Sequence, residues 1–179
     1  MNTREELFLF LREQGLYDIN DIDDLYEGNW YKDLPENIQC RRDVIFLIAQ
    51  SVLYSFWDSE STNALFYNFE KHYSNDKDFI REYLSNHDEE TEFFVRASVD
   101  IQSDFELLLQ YLKIETHYMK MWGRFLHLDE QVKGNRKLML KLICELPELF
   151  SEFNDEFKND AEFQSLFEQF SKRKQDKNG

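Results

Sequence analysis

The stretch "DINDIDDLYEGN", beginning at Asp18, carries carboxylates at a density that could hold a calcium ion. A calcium loop of the EF-hand type needs oxygen ligands at its first, third and fifth positions, glycine at the sixth and a bidentate glutamate at the twelfth. Asp18 and Asn20 supply the first two, but Ile22 stands fifth, Asp23 sixth and Asn29 twelfth, so calcium is not expected. The histidines His72, His87, His117 and His127 form no HExxH and no pair one helical turn apart. Glu115 and His117 are two residues apart and would face different sides of a helix. The Glu-x-x-His pairs of di-iron bundles are missing as well.

Cys40 and Cys144 are the 2 cysteines, and neither lies in a CxxC or beside a histidine cluster. They read as small apolar residues of a reduced protein. The sequence holds no GxSxG, no P-loop and no GxGxxG, and its 5 glycines leave little material for a phosphate-cradling loop. No motif with a mechanism supports an enzyme, so the chain is expected to be non-enzymatic, with no metal and no cofactor. An enzyme whose site converges from distant residues is the third reading.

What remains is surface. Asp18, Asp21, Asp23, Asp24, Tyr26, Glu27, Trp30 and Tyr31 set acids beside aromatics around a turn. Glu148, Glu152, Asp155, Glu156 and Asp160 do the same near Phe150, Phe153 and Phe157. Aromatic anchors inside a charged rim make interface hot spots. Phe150, Phe153 and Phe157 follow helical spacing, which favours the core for the rings and water for the acids. Trp30 and Tyr31 stand between the two readings. The candidate partner-binding residues are therefore Asp18, Asp21, Asp23, Asp24, Tyr26, Glu27, Trp30, Tyr31, Glu152, Asp155 and Glu156.

Charge points the same way. There are 36 acidic and 21 basic residues, a formal net charge of −15. Nucleic-acid binding needs a basic face, so direct binding of DNA or RNA is not expected. A basic protein would be steered toward this chain. Acidity that merely keeps an aromatic-rich protein in solution is the plain alternative. The N-terminus reads as no signal peptide, no window is apolar enough to span a membrane, and a cytoplasmic location is expected.

Helices must position these residues. Gly at 5 and Pro at 2 are too few for a sheet-rich fold. Residues 3–14 read as a helix capped by Thr3 and closed by Gly15, with Leu7, Phe10 and Leu11 on one face. Residues 41–57 read as a central buried helix with Ile45, Ile48, Ala49, Val52, Leu53 and Phe56 as its stripe. Leu65, Phe66 and Phe69 face inward from the next helix.

Helix openings then recur. "NDKDFIREYL" from Asn75, "SDFELLLQYL" from Ser103 and "NDAEFQSLFEQF" from Asn159 each place an acid three residues after a polar cap: Asp78, Glu106 and Glu162. This is the spacing of a capping box, with apolar residues following at helical intervals. "GNRKLMLKLI" and "RRDVIFLIAQ" are looser copies. The shared acids thus start helices rather than perform chemistry.

"LPELFSEFNDEFKNDAEFQSLFEQF" and "HYSNDKDFIREYL" resemble a short helical repeat of bacterial proteins, known as a domain of unknown function, whose helices open with Asn-Asp-x-Glu-Phe. The resemblance spans mainly residues 71–112 and 134–170. It implies an α-helical interaction repeat and carries no catalytic residue. The chain departs from it in irregular spacing and larger aromatics.

The expected fold is all-α, an irregular helical bundle or short solenoid of stacked hairpins. It is expected over residues 1–170, with 1–40 as an N-terminal cap and 41–170 as repeats in a finer division. A basic tail, 171–179, ends in Lys172, Arg173, Lys174 and Lys177 against Asp176. The expected function is an acidic protein-binding module, an inhibitor or immunity-type protein that blocks a basic nucleic-acid enzyme by charge mimicry. A repeat scaffold recognising a peptide or helix is the second reading.

Overall fold

The computed structural model describes residues 4–15, 31–49, 59–86, 92–114 and 121–178, and among them every regular element is helical. The chain forms two compact units, Met1–Phe79 and Ile80–Gly179.

In the first unit, α1 (Arg4–Glu13) buries Leu7 and Leu11 and packs on α3 (Arg42–Ala49). Gly15 ends it at φ +59, a left-handed conformation that costs glycine least. A 3-10 turn, Tyr31–Asp33, leads into α2 (Glu36–Gln39) and then α3, which buries Val44 through Ile48. The expected continuation of this helix to residue 57 lies outside the described residues. Next, α4 (Ser59–His72) buries Leu65, Phe66 and Phe69, and α5 (Lys77–Asn86) begins with buried Phe79. The Phe79 ring meets Phe46 edge-on at 5.6 Å and Tyr73 in a stack at 5.2 Å. Each such buried ring contributes roughly 1.5–3 kcal/mol over exposure.

The second unit continues through α6 (Glu92–Val95), α7 (Val99–Gln102), α8 (Phe105–Lys113), α9 (Met121–Leu126), α10 (Glu130–Lys133) and α11 (Arg136–Glu145). A 3-10 segment, Pro147–Glu152, then leads to α12 (Asp155–Lys158) and α13 (Ala161–Asn178). Its core holds Phe93, Phe94, Leu108, Tyr111, Phe125, Leu142, Phe153 and Phe163.

One local design recurs in both units: a helix about one turn long, one linking residue, a polar cap, then a longer helix. The short helices are α2, α7, α10 and α12. Their last backbone N–H groups donate back to Pro35, Ser98, Asp129 and Asn154 at 3.0, 2.9, 3.0 and 3.1 Å. The next cap N–H then closes on the buried residue three before it: Arg41 to Ile38, Asp104 to Ile101, Asn135 to Val132, and Asp160 to Phe157. Asp76 closes on Tyr73 in the same way at 2.9 Å.

This register corrects the capping boxes by one residue. Asp76 Oδ1 accepts from Asp78 and Phe79 N–H, Asp104 from Leu107, and Asp160 Oδ1 from Glu162 and Phe163. Ser103 and Asn159 instead close the preceding short helices. A carboxylate reaches the free amides of the first turn from the position just before it, which is why Asp holds that place.

The last residue of a short helix also serves a second purpose. Gln102 Nε2 donates to Val95 and Ala97 O at 2.9 and 2.8 Å, and its Oε1 accepts from Asp129 N–H. Gln39 Nε2 donates likewise to Tyr31, Lys32 and Leu34 O. Lys133 Nζ reaches Leu126 O at 3.1 Å. These donors reach carbonyls at the end of the preceding element, where the helical ladder stops.

In the second unit like elements stack on like: α7 on α10, α9 on Pro147–Glu152, α8 on α11 and α11 on α13. Stacked helical hairpins make contacts of this form. Gln164, Ser165, Glu168 and Gln169 of α13 are exposed and polar.

Candidate functional site

Asp18, Asp21, Asp23, Asp24, Tyr26, Glu27 and Trp30 lie outside the described residues. Tyr31 is a core residue and not a surface anchor: it is 0% exposed. Its hydroxyl donates to Gln39 O at 2.7 Å and lies 3.5 Å from Asn68 Nδ2, and burial raises its pKa. Asn68 in turn donates to Gln39 Oε1 at 3.1 Å, so Tyr31, Gln39 and Asn68 tie the 3-10 turn, α2 and α4 together. A turn position has no periodicity from which that burial could be read.

The second acidic region is split as its spacing suggests. Phe153 and Phe157 are buried and Phe150 is half-buried, whereas Asp155 and Glu156 are exposed in the first turn of α12. Glu152 is half-exposed and accepts from Ser151 Oγ at 3.0 Å. Phe157 stacks on Phe163 at 4.8 Å and Phe153 on Phe125 at 5.4 Å, which fixes the strand of backbone bearing these acids. Lys158 lies 2.8 Å from Asp155 and holds its carboxyl below the usual range.

Sequence spacing alone did not reveal the equivalents of Asp155 and Glu156. Asp100 on α7 and Glu130 on α10 are exposed at matching places in their short helices, and α7 packs on α10. The signal for them was the repeated cap-and-linker register, which a helix of one turn hides. Arg136 is a further missed residue: its Nη1 lies 2.8 Å from Asp160 Oδ2, its Nη2 2.7 Å from Glu162 Oε2, and its guanidinium 5.1 Å from the Phe163 centroid. Arg42, at the matching place in α3, sits 5.4 Å from the Phe79 centroid. Asp160 is therefore a helix-joining residue as well as a member of the acidic region.

Among the described residues no group of His, Cys, Asp and Glu is placed to hold a metal ion. Cys40 and Cys144 are free and half-buried, and burial raises the Cys144 thiol pKa. Arg124 is buried at the α8–α9 contact, where Nη1 lies 3.5 Å from Leu112 O and Tyr111 donates to Arg124 O. Desolvation lowers its pKa. No helix of the described residues is long and apolar enough to cross a membrane. The chain matches no protein-family model, no curated protein and no solved structure.

Proposed function

We propose that this protein is a non-enzymatic module that binds a basic protein, in the cytoplasm, and blocks it by presenting carboxylates where that partner expects phosphates. The most concrete form is an inhibitor or immunity-type protein set against a nucleic-acid enzyme. The observation that carries this reading is the net charge of −15, with acids such as Asp155 and Glu156 held outward by rings packed inward. Charge of one sign steers encounter and fixes register, and it does so less as salt rises. Neutralising Asp21, Asp23 and Asp24 together, or Asp155 and Glu156 together, should slow association with such a partner. Unchanged association rates in both variants, with no salt dependence, would end the mimicry reading.

A second reading draws on the stacking of α8, α11 and α13. Solenoids present extended faces to peptides and helices. A repeat scaffold would bind with weak salt dependence and would be sensitive to aromatic substitutions. A peptide array that yields no ligand of any composition would count against it.

A further inference from the structure

We propose that the outer face of α8 and α11 is a docking surface for an acidic peptide segment with an apolar centre. The ammonium groups of Lys137 and Lys141 receive its carboxylates, and Phe105, Leu109 and Leu140 receive its apolar side chains. This gives the scaffold reading a surface and a ligand class, and it rests on that reading.

The inward sides of the two helices are filled: Leu107, Leu108, Tyr111 and Leu112 on α8, and Leu138, Met139, Leu142 and Ile143 on α11, are buried. Phe105, Leu109 and Leu140 fall outside these stripes and are half-exposed. Stacking of α8 on α11 brings the two outer sides together, because Lys141 Nζ lies 5.3 Å from the Phe105 centroid. The apolar positions and the lysines therefore share one continuous surface.

Charge selects the ligand. Several other basic side chains of this unit are matched: Lys133 with Glu130, Lys158 with Asp155, and Arg136 with Asp160 and Glu162. Lys137 and Lys141, one helical turn apart and both exposed, pair with no carboxylate of the described residues, although the chain carries 36 acids. Glu106 on α8 and Glu145 on α11 are the exposed acids of these two helices. Lys113, one turn after Leu109 on α8, is a third exposed ammonium on these two helices. Exposed ammonium groups beside half-exposed apolar side chains fit carboxylates flanking an apolar centre.

The test uses the intact chain and fluorescence anisotropy at physiological salt. One labelled probe is a short peptide with glutamates flanking a Leu-Leu-Phe centre, and the other carries glutamine in place of each glutamate. The acidic probe should bind and the glutamine probe should bind at least about tenfold more weakly, as expected for losing close charge pairs. Lys137→Glu with Lys141→Glu should weaken the acidic probe by about tenfold or more, whereas Arg12→Glu with Arg81→Glu, the same change in net charge elsewhere, should leave it within about twofold. If circular dichroism shows that the reversal disturbs folding, Lys137→Gln with Lys141→Gln takes its place. No binding of the acidic probe overturns the proposal, as does equal loss in both double variants. Equal binding of the two probes overturns the acidic ligand class and leaves the scaffold reading standing.

Discussion

Arg136 and Asp160 join two helices of the second unit through one carboxylate. The guanidinium takes Oδ2 at 2.8 Å, while Oδ1 accepts from the first-turn amides of Glu162 and Phe163. Arg136 therefore orients the group that starts α13, and its face covers Phe163 at 5.1 Å. Replacing Arg136 with alanine should selectively raise amide exchange at the start of α13, with α8 amides unchanged. Uniform loss of protection would show instead that the pair is not local.

The same pair sets a pH dependence. Arg136 holds the Asp160 carboxyl below its usual range. A depressed folded pKa gives stability that is complete above the unfolded value of about 3.9 and is lost as pH falls through the lower folded value. Asp160→Asn should therefore lower the neutral-to-alkaline limb by a constant amount and let the two profiles converge as pH falls through the acid limb. Denaturant melts across that range check it.

The caps can be separated from their neighbours. Asn135→Ala and Asp104→Ala should each cost about 1 kcal/mol by chemical denaturation, because each side chain accepts a first-turn amide at 3.2 Å. Ser103→Ala should stay within about 0.5 kcal/mol. The reverse order would restore the cap to Ser103.

Gln102 should matter more than its polar character suggests. Gln102→Leu withdraws donors from Val95 and Ala97 O and an acceptor from Asp129 N–H in a side chain 2% exposed. The expected cost is at least about 2 kcal/mol, since buried groups lose their partners. Tyr31→Phe removes the bond to Gln39 O and should cost about 1 kcal/mol while leaving partner binding intact.

The helical class was legible because scarce glycine and proline agree with the stripes of Leu65, Phe66, Phe69, Leu108, Tyr111 and Leu112, all of them buried. Spacing alone sets the caps one residue early because Ser103 and Asn159 are themselves capping types, though they close one helix while Asp104 and Asp160 open the next. The short helices α2, α7, α10 and α12 escaped because a single turn shows no periodicity. Exposure of Asp155 and Glu156 followed from the inward spacing of Phe153 and Phe157. Burial of Tyr31 could not follow, since it depends on Gln39 and on the distant Asn68.

The basic-partner account is tested most directly by affinity capture from a lysate of the source organism, at low and high salt, read by mass spectrometry and followed by an activity assay. The account predicts that a basic nucleic-acid enzyme is captured at low salt, released at high salt and inhibited when the purified protein is added back. A partner that resists high salt and is not basic, or an enzyme whose activity the protein leaves untouched, would contradict it.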